Sequence, residues 1–461
     1  MAEGHFAVID EQKFRAFHIR TMLTTGLGVF CDGYDISCIG LVLPAVLQSY
    51  GVGPMSTPHG AAMAGLVTSS ALVGSMLGAL VFGVLGQYGR KKFYGYDVMI
   101  LGIAAAAQAF MPSFGWLVAC RFVLGVGVGA DYVLSPMIMA EHANRADRGK
   151  AMGLGFGTMW PMGALTAAVF KLLLDSFHVP ADLSWKLVLA GGAVPALAIL
   201  YFRRTMPESA RFLARLADDR AGAAEVMAEI GGAQVAAPAA DRRPFGEVFA
   251  KHARHIFAGA LLWLVYDLVV YAAILFGPNL IAQNLGIPAS IYQILNELIF
   301  VLPASFILSL FVIDKMGRKP LQVWGFLTSA VVLLVFAWLR ATPGTSVLLA
   351  FLVYGLFNIT QTGPGLVSGA GVYGVELAPT RVRSVAQSAT VIGGRIGASV
   401  SGYLFPVLVA RAGLVHTLWV LAGISLLGGV LSQLLVPETS SRSLEDINQE
   451  HAEAALAPEA A

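Results

Sequence analysis

The sequence has few charged residues. Lysine, arginine, aspartate and glutamate make up 13% of its 461 residues, and hydrophobic residues make up 57%. Ordinary globular chains contain about 25% charged and about 45–50% apolar residues. A water-soluble core cannot hide that much apolar surface, so lipid is the expected solvent for most of the chain. The net charge of +2 is too small to indicate nucleic-acid binding.

Neither cysteine nor histidine forms a pattern that indicates a cross-link or a metal site. Cys31, Cys38 and Cys120 fall in apolar segments without disulfide or metal spacing. The nine histidines lie outside the apolar segments or at their edges. This placement disfavours a histidine proton relay, and we expect no metal and no cofactor. The polar N-terminus has no apolar stretch typical of a cleaved signal peptide.

The chain does contain a series of long apolar runs. A transmembrane helix needs about 20 apolar residues, and twelve runs approach or exceed that length. All of them must be helical, because lipid cannot satisfy a free backbone N–H. We therefore predict an all-α membrane protein with spans at about 21–46, 61–86, 94–113, 115–140, 151–174, 186–202, 256–281, 289–313, 321–340, 346–375, 386–410 and 416–436.

The charge of the connections alternates along the chain. Loops such as "QYGRKKF", "EHANRADRGK", "DKMGRKP" and "APTRVRS" are basic, whereas "YGVGPMSTPHG" and "AQNLGIP" have almost no Lys or Arg. Cytoplasmic loops carry the excess of positive charge, so both termini are expected in the cytoplasm, with the protein in a bacterial-type inner membrane. In the long central loop, "RRTMPESARFLARLADDRAGAAEVMAEIGG" predicts an amphipathic helix and "AQVAAPAADRRP" a flexible joint.

The two halves of the chain repeat each other. "GRKK" at 89–92 corresponds to "GRKP" at 317–320, and "PES" at 207–209 to "PET" at 437–439, with offsets of about 230 residues. A duplicated six-helix unit indicates two pseudo-symmetric bundles. The predicted organisation is a cytoplasmic N-terminus (1–20), an N-terminal bundle (21–202), a cytoplasmic loop (203–255), a C-terminal bundle (256–436) and a cytoplasmic tail (437–461).

These motifs resemble those of the major facilitator superfamily, in its sugar-and-metabolite porter branch. The matching stretches are "FGVLG…GRKK", "RFVLGVGVGADYVLSPMIMAE", "PESARFL", "DKMGRKP", "ELAPTRVRS" and "PETSSRSLEDI". The resemblance covers nearly the whole chain and implies two bundles that rock about a central site. One position departs from the family pattern: Gly86 stands where an aspartate is usual, which predicts a weaker charge contact in the first half.

Asp32 and Asp35 lie near the middle of the first apolar span, on one helical face. A central aspartate costs about 2.5–3.5 kcal/mol on insertion scales, so each needs a partner or a function. Arg121, at a comparable depth in the fourth span, is the expected partner of Asp35, and a resemblance to xylose–proton symporters implies the same pair. We expect these residues to couple transport to protons; a permanent structural ion pair is the alternative.

Asp131 and Tyr132, in "GADYVLS", lie at about the depth of Asp32. They resemble a stretch of phosphate–proton symporters, which adds Asp131 to the proton-coupling candidates and Tyr132 to the substrate-binding ones. The preceding "GVGVGA" follows no strand, so it is expected to pack helices closely rather than to bind a dinucleotide.

The seventh span carries Trp263, Asp267 and Tyr271, whose spacing of four places them on one helical face. Two aromatic rings around a carboxylate suit a ligand with an apolar body and a polar end, although core aromatics and a structural acid are the alternative. Arg395, deep in the eleventh span, needs Asp267, Glu297 or an anionic substrate as its partner.

Further polar and aromatic residues in the spans either line a cavity or join helices. These additional substrate-binding candidates are Trp160, Asn296, Asn358 and Gln361. Matched acids and bases at the basic loop ends are expected to form ion pairs that close the cytoplasmic side, solvated loop charge being the alternative. They are Arg90, Glu141, Arg148, Arg318, Glu376 and Arg383.

The candidate residues together indicate a proton-coupled symporter that imports a small organic acid, possibly aromatic, by alternating access. Positions that are amides in sugar symporters correspond here to Leu261, Leu262 and Trp160, which disfavours a hydroxyl-rich sugar. Phosphate or sugar symport remains an alternative, as does a sensor without flux. No nucleophile–base pair indicates an enzyme. We expect a monomer whose partners are the bilayer, protons and the small molecule.

Overall fold

The computed structural model describes residues 5–232 and 235–450, and within these residues all regular structure is helical. Ten helical segments of membrane-spanning length each form one span, and an eleventh, Arg383–Leu435, is divided at Gly413, where φ is +80°. The division produces two spans, 383–412 and 414–435, which makes twelve in total. The predicted all-α fold of twelve spans is confirmed.

The spans are numbered here in chain order. Spans 1 to 6 are Ala16–Ser49, Pro58–Tyr88, Arg90–Phe110, Phe114–His142, Arg148–Ser176 and Ala181–Arg204; spans 7 to 10 are Phe245–Pro278, Ala289–Met316, Arg318–Ala341 and Val347–Glu376. Several begin before the predicted apolar run, span 7 by about three turns. Backbone hydrogen bonding continues the helix into polar sequence that apolarity alone does not mark.

Spans 2 and 4, which follow loops without basic residues, each begin with an N-cap side chain. Thr57 accepts a hydrogen bond from the Gly60 N–H at 3.1 Å, and Pro58 is the first helical residue of span 2. Ser113 caps span 4 in the same way. A capping oxygen satisfies one of the free N–H groups at a helix start, and proline loses nothing there.

Short stretches of π-helix interrupt spans 5, 8 and 10. They are Gly153–Thr158, Glu297–Val301, Leu308–Val312 and Gly365–Gly369. Each inserts an extra residue per turn and so changes which side chains face the neighbouring helices. Three of the four lie beside the central cavity, through residues that include Phe156, Glu297 and Gly365.

Close helix contacts hold each bundle together and join the two bundles. In span 4, a Cβ at Gly125 or Gly129 would collide with the carbonyls of Ala71 and Ser75 in span 2. The predicted role of "GVGVGA" in helix packing is therefore confirmed. Between the bundles, Ser388 of span 11 donates to the Ala79 carbonyl of span 2 at 2.7 Å, a hydroxyl–carbonyl bond typical of membrane helix pairs.

The central loop folds against the chain's N-terminus. The predicted amphipathic helix is two helices, Ala210–Arg215 and Arg220–Gly231; the first ends at Arg215, and Asp219 caps the second at the Gly222 N–H. Their apolar faces bury Phe6, which precedes the short helix Ala7–Asp10, and Ile9, which lies within it. Residues 235–244, from the predicted joint, contain no helix.

Candidate functional site

A cavity lies between the two bundles. All nine residues predicted to bind substrate line it: Tyr132, Trp160, Trp263, Asp267, Tyr271, Asn296, Asn358, Gln361 and Arg395. They come from spans 4, 5, 7, 8, 10 and 11, so helices distant in sequence converge on one volume. Tyr266, Tyr292 and Tyr354 add further aromatic surface that sequence reasoning did not single out.

Arg395 is the cation of this cavity, and aromatic rings surround it. Its guanidinium lies 4.3 Å from the ring centre of Tyr132, 5.7 Å from that of Tyr271 and 5.9 Å from that of Trp263. It donates to the Tyr271 hydroxyl, and its Nη1 lies 3.9 Å from Asp267 Oδ2. Of the partners predicted for Arg395, Asp267 is the one that it faces.

The opposite wall of the cavity carries amides and one more acid. Asn358 donates to Asn296 at 2.7 Å, which joins spans 8 and 10. Gln361 donates to Ser329 of span 9. Glu297 accepts from Gln293, one turn earlier in the same helix, at 2.6 Å. The cavity therefore has a cationic, aromatic wall and a wall of amides and a carboxyl group.

Asp32 and Asp35 are fully buried, and no hydrogen-bond donor contacts either carboxyl group. The predicted ion pair between Asp35 and Arg121 is wrong for this conformation. Arg121 donates instead to the carbonyls of Val67 at 3.0 Å and Asp35 at 3.5 Å, and to Gln108 at 3.1 Å. Backbone carbonyls and an amide thus satisfy the guanidinium without the Asp35 carboxyl group.

Asp131 has partners that sequence reasoning missed. Arg203 Nη2 lies 2.6 Å from Asp131 Oδ1, and the same guanidinium also pairs with Asp97. Ser135 donates to Asp131 at 2.6 Å. The three charged side chains form a fully buried triad across spans 3, 4 and 6. The predicted span 6 ended one residue before Arg203. A charged residue at the edge of an apolar run was the signal that could have identified Arg203 as a partner.

The ends of the spans on the basic-loop side form two buried ion-pair clusters. In the Glu141 cluster, Glu141 contacts Arg90 of its own half at 3.4 Å and Arg383 of the other half at 2.9 Å. In the Glu376 cluster, Glu376 contacts Arg318 at 3.4 Å and Arg148 of the other half at 2.7 Å. The two clusters mirror each other, and each joins the two bundles, as the repeat predicted.

The glycine at position 86 makes the two clusters unequal. In the second half, Asp314 accepts from Arg318 at 2.7 Å and from the N–H groups of Gly149 and Lys150 at 3.0 and 2.7 Å. In the first half, Arg90 donates to the Gly86 carbonyl at 2.8 Å. A Cβ at Gly86 would meet Ser384 Oγ. Close packing there replaces the carboxylate contact.

The two repeated "PES" and "PET" motifs supply equivalent helix caps. Glu208 accepts from the Lys91 N–H at 3.0 Å, and Glu438 accepts from the Arg318 and Lys319 N–H groups, both at 3.0 Å. A carboxylate is favoured at a helix start because it meets free N–H groups and the positive end of the helix dipole. The duplication seen in sequence therefore extends to the contacts.

Arg211 joins three distant segments beneath the clusters. It contacts Asp10 at 2.9 Å and Glu445 at 2.7 Å, and it donates to the Glu141 carbonyl at 2.6 Å. Burial raises the pKa of the Glu445 carboxyl group, but Arg211 outweighs burial and holds that pKa at about 2. Burial raises the pKa of Asp10, and the attraction of Arg211 offsets this only in part.

No group of His, Cys, Asp and Glu side chains in the described part of the chain has the arrangement of a metal site. The candidate site is thus an aromatic cavity with one cation, buried acids beside it, and ion pairs that close one side. Two pseudo-symmetric six-helix bundles around such a cavity define a membrane transporter of the major facilitator superfamily.

The chain belongs to the sugar (and other) transporter family, whose model matches residues 21–451. It is 29% identical over 498 residues to the Arabidopsis thaliana "Probable inorganic phosphate transporter 1-6", covering 96% of this chain and 95% of that protein. It is 31% identical over 512 residues to the Lotus japonicus "Low affinity inorganic phosphate transporter 4", covering 98% and 95%.

A solved structure with a similar fold is that of the proton:xylose symporter XylE of E. coli bound to 6-bromo-6-deoxy-D-glucose. The TM-score is 0.81 at 22% identity, and the match covers 94% of this chain and 99% of that chain. The similarity supports the transporter fold, and the family resemblance inferred from the sequence motifs is confirmed.

Proposed function

We propose that this protein is a proton-coupled symporter that imports a small organic anion by alternating access. The observation that carries the proposal is Arg395, held by three aromatic rings at the cavity between the bundles. A buried cation with aromatic neighbours binds the acidic group of a ligand, and the rings pack against its apolar body. The carboxyl group of Asp267 balances part of this charge when the cavity is empty.

Inorganic phosphate is the second candidate, because the phosphate transporters described above match almost the whole chain. Arg395 suits a phosphate as well as a carboxylate. Phosphate, however, has no apolar surface to pack against the rings of Trp160, Trp263 and several tyrosines that line this cavity. We therefore place the organic anion first.

Asp32 and Asp35 are the proposed proton carriers. An ionised carboxylate without donors is unstable in a buried, apolar setting, and neither carboxyl group has a donor in this structure. This arrangement suits protonated acids. When Asp35 loses its proton, its charge attracts Arg121, which already contacts the Asp35 carbonyl at 3.5 Å. The new pair would pull spans 1 and 4 into a different arrangement.

Asp131 has a different role in this scheme. Its carboxylate is already paired with Arg203, which Asp97 shares. We propose that this charged triad normally stays ion-paired, on the basic-loop side of Asp32. Asp131 would accept a proton only when Arg203 breaks its pair with Asp131 and pairs with Asp97 alone. The two ion-pair clusters keep the basic-loop side closed until the substrate and proton are bound.

The remaining expectations from sequence complete the proposal. The basic loops are placed in the cytoplasm by the positive-inside bias, with both termini on the same side and the protein in the plasma (inner) membrane. The transporter is proposed to act as a monomer, since each chain contains a complete cavity and both clusters.

The test is uptake by the purified protein in vesicles, with and without a pH difference across the membrane. A prior thermal-shift screen of aromatic acids, aliphatic acids, sugars and phosphate selects the solute. Asp35→Asn should abolish accumulation against a gradient and leave exchange of labelled for unlabelled solute, because a neutral side chain cannot release a proton. Asp175→Asn, which breaks an exposed pair with Lys171, is the control and should behave as wild type.

Two results would contradict the proposal. Uptake that is identical at zero and inward pH difference, with no acidification inside the vesicles, would make the protein a passive carrier. Accumulation by Asp35→Asn at the wild-type level would remove Asp35 from coupling.

A further inference from the structure

Three acceptor groups that line the cavity lack a hydrogen-bond donor. Glu297 Oε2, Gln361 Oε1 and Asp267 Oδ2 have no partner, although the three side chains are only 3%, 2% and 1% exposed. Buried polar atoms are normally satisfied, and an orphaned acceptor costs about 1–3 kcal/mol. A ligand that fills this cavity is therefore favoured if it brings donors of its own.

Of these three side chains, Glu297 most clearly lacks a hydrogen-bond donor. Its other oxygen, Oε1, accepts from Gln293, so the side chain is oriented while Oε2 is left without a donor. Among the described residues, no cation lies within ion-pair distance of Glu297, whereas Asp267 faces Arg395. Glu297 also starts the π-helical turn Glu297–Val301, a feature frequent at functional sites.

A purely structural role for Glu297 does not fit these contacts. Polar residues that join membrane helices bond across helices, as Asn296 does with Asn358. Glu297 bonds to Gln293 and Asn296, both of its own span, so it joins no second helix. A carboxyl group placed in a cavity without a cation is instead suited to a ligand hydroxyl group.

We propose that Glu297 determines specificity by accepting a hydrogen bond from a hydroxyl group of the transported anion, which is therefore a hydroxylated organic acid. The inference rests on the proposed organic-anion function. Arg395, on span 11, binds the acidic end of the ligand. Glu297, on span 8, accepts from the hydroxyl end, and the unpaired Gln361 oxygen offers a second acceptor on span 10. An acid without a hydroxyl group leaves these acceptors unsatisfied.

The experiment measures binding of four matched acids to the full-length purified protein: benzoate, 4-hydroxybenzoate, 3,4-dihydroxybenzoate and 4-methoxybenzoate. The methoxy compound keeps an oxygen at the same position but removes the donor. A buried acceptor left without its donor corresponds to roughly a 10- to 100-fold difference in affinity. We expect both hydroxylated acids to bind at least about 10-fold more tightly than benzoate and 4-methoxybenzoate.

The matched variant is Glu297→Gln, which retains the shape of the side chain and an oxygen for Gln293. It should remove most of the preference for the hydroxylated acids, so that the affinities of the four acids converge; continued binding of benzoate shows that the cavity is folded. Glu247→Gln, at an exposed position in the first turn of span 7, is the control. If Glu297→Gln does not fold, Glu297→Asp withdraws the carboxylate by one methylene and should show the same loss of preference.

The possible failures are distinguishable. Equal binding of all four acids by the wild type, or an unchanged preference in Glu297→Gln, overturns the role of Glu297 and leaves the organic-anion function standing. If none of the four acids binds and inorganic phosphate does, the organic-anion function itself is overturned, and this inference with it.

Discussion

Each buried carboxyl group in the membrane-spanning helices has a different set of partners. Asp131 shares Arg203 with Asp97, Asp267 faces Arg395, and Asp32 and Asp35 have no donor at all. Removing one partner of a buried pair typically costs 3–5 kcal/mol, because the other charge is left uncompensated. The acids without partners are those that a proton can neutralise at least cost to the fold.

Sequence reasoning located these acids but not their partners. A charge inside an apolar run is conspicuous, so Asp32, Asp35 and Asp131 were found easily. Whether Arg121 meets the carboxyl group or the carbonyl of Asp35 depends on angstrom-scale positions of spans 1 and 4. Such distances follow from packing of the whole bundle and have no signature in one sequence.

The Arg211 contacts lead to a prediction about stability and pH. The pKa of Glu445 is lowered to about 2 from an ordinary value of 4.5, with burial opposed and outweighed by Arg211. A lowered pKa stabilises the fold above the ordinary value and loses that contribution as pH falls towards the folded value. Glu445→Gln should therefore lower the melting temperature at pH 7, and the deficit should shrink as pH falls from about 4.5 towards 2.

Asp10 provides the comparison for this measurement. Burial raises its pKa despite the attraction of Arg211, so ionised Asp10 is disfavoured by folding. Asp10→Asn should therefore lower the melting temperature at pH 7 by less than Glu445→Gln does. Calorimetry in detergent at several pH values measures both variants. A larger loss for Asp10→Asn would show that Glu445 is not the principal partner of Arg211.

At the scale of the elements, two different kinds of contact hold the helices on the basic-loop side: a carboxylate cap and a close helix–helix contact. Asp314 caps the start of span 5 through the Gly149 and Lys150 N–H groups. Span 2 instead packs directly on span 11, where Ser384 donates to the Gly83 carbonyl at 2.7 Å. The sequence predicted a weaker charge contact at Gly86, and the close approach that replaces the carboxylate appears only in the structure.

Gly86→Ala tests this contact. The added methyl group would meet Ser384 Oγ, and overpacking of this kind costs about 1–3 kcal/mol. The variant should lower the melting temperature and loosen the junction of spans 2 and 11. In Gly423→Ala, the matched control, the new methyl group enters open space, so the melting temperature should not fall. Equal behaviour of the two variants would exclude a packing role for Gly86.

At the scale of the whole molecule, the Glu141 and Glu376 clusters join the two bundles. Each contains one acid and two arginines, one arginine from each half, and all six side chains are fully buried or nearly so. Rocking the bundles apart on this side must break the contacts of Arg383 with Glu141 and of Arg148 with Glu376. The clusters therefore set the energy needed to open the basic-loop side.

Glu376→Gln should shift the protein towards a conformation open on that side. The neutral side chain leaves Arg148 without a counter-charge and Arg318 with Asp314 alone. An uncompensated buried charge costs about 3–5 kcal/mol, which hydration relieves when the bundles separate. Distances between spin labels at the exposed positions Lys91 and Lys315 report the separation. The distribution should gain a longer component in the variant.

Arg145→Gln is the control for this measurement. Its pair with Glu11 is in a connection on the same side, but the two side chains are 46% and 62% exposed. Exposed pairs contribute at most about 1 kcal/mol, so the distances should match those of the wild type. Unchanged distances in Glu376→Gln would mean that other contacts hold the two bundles together.

The sequence by itself determined the class of fold, the number of spans, the duplication and nine of the residues that line the cavity. These follow from apolar run length, charge placement and repeated motifs, which are local properties of the chain. Only the tertiary structure decided which charges meet. In the structure, Arg203 lies between Asp97 and Asp131, Arg121 contacts the Asp35 carbonyl rather than its carboxyl group, and Glu297 has no cation beside it among the described residues. Pairing depends on distances between helices far apart in sequence, and packing alone sets those distances.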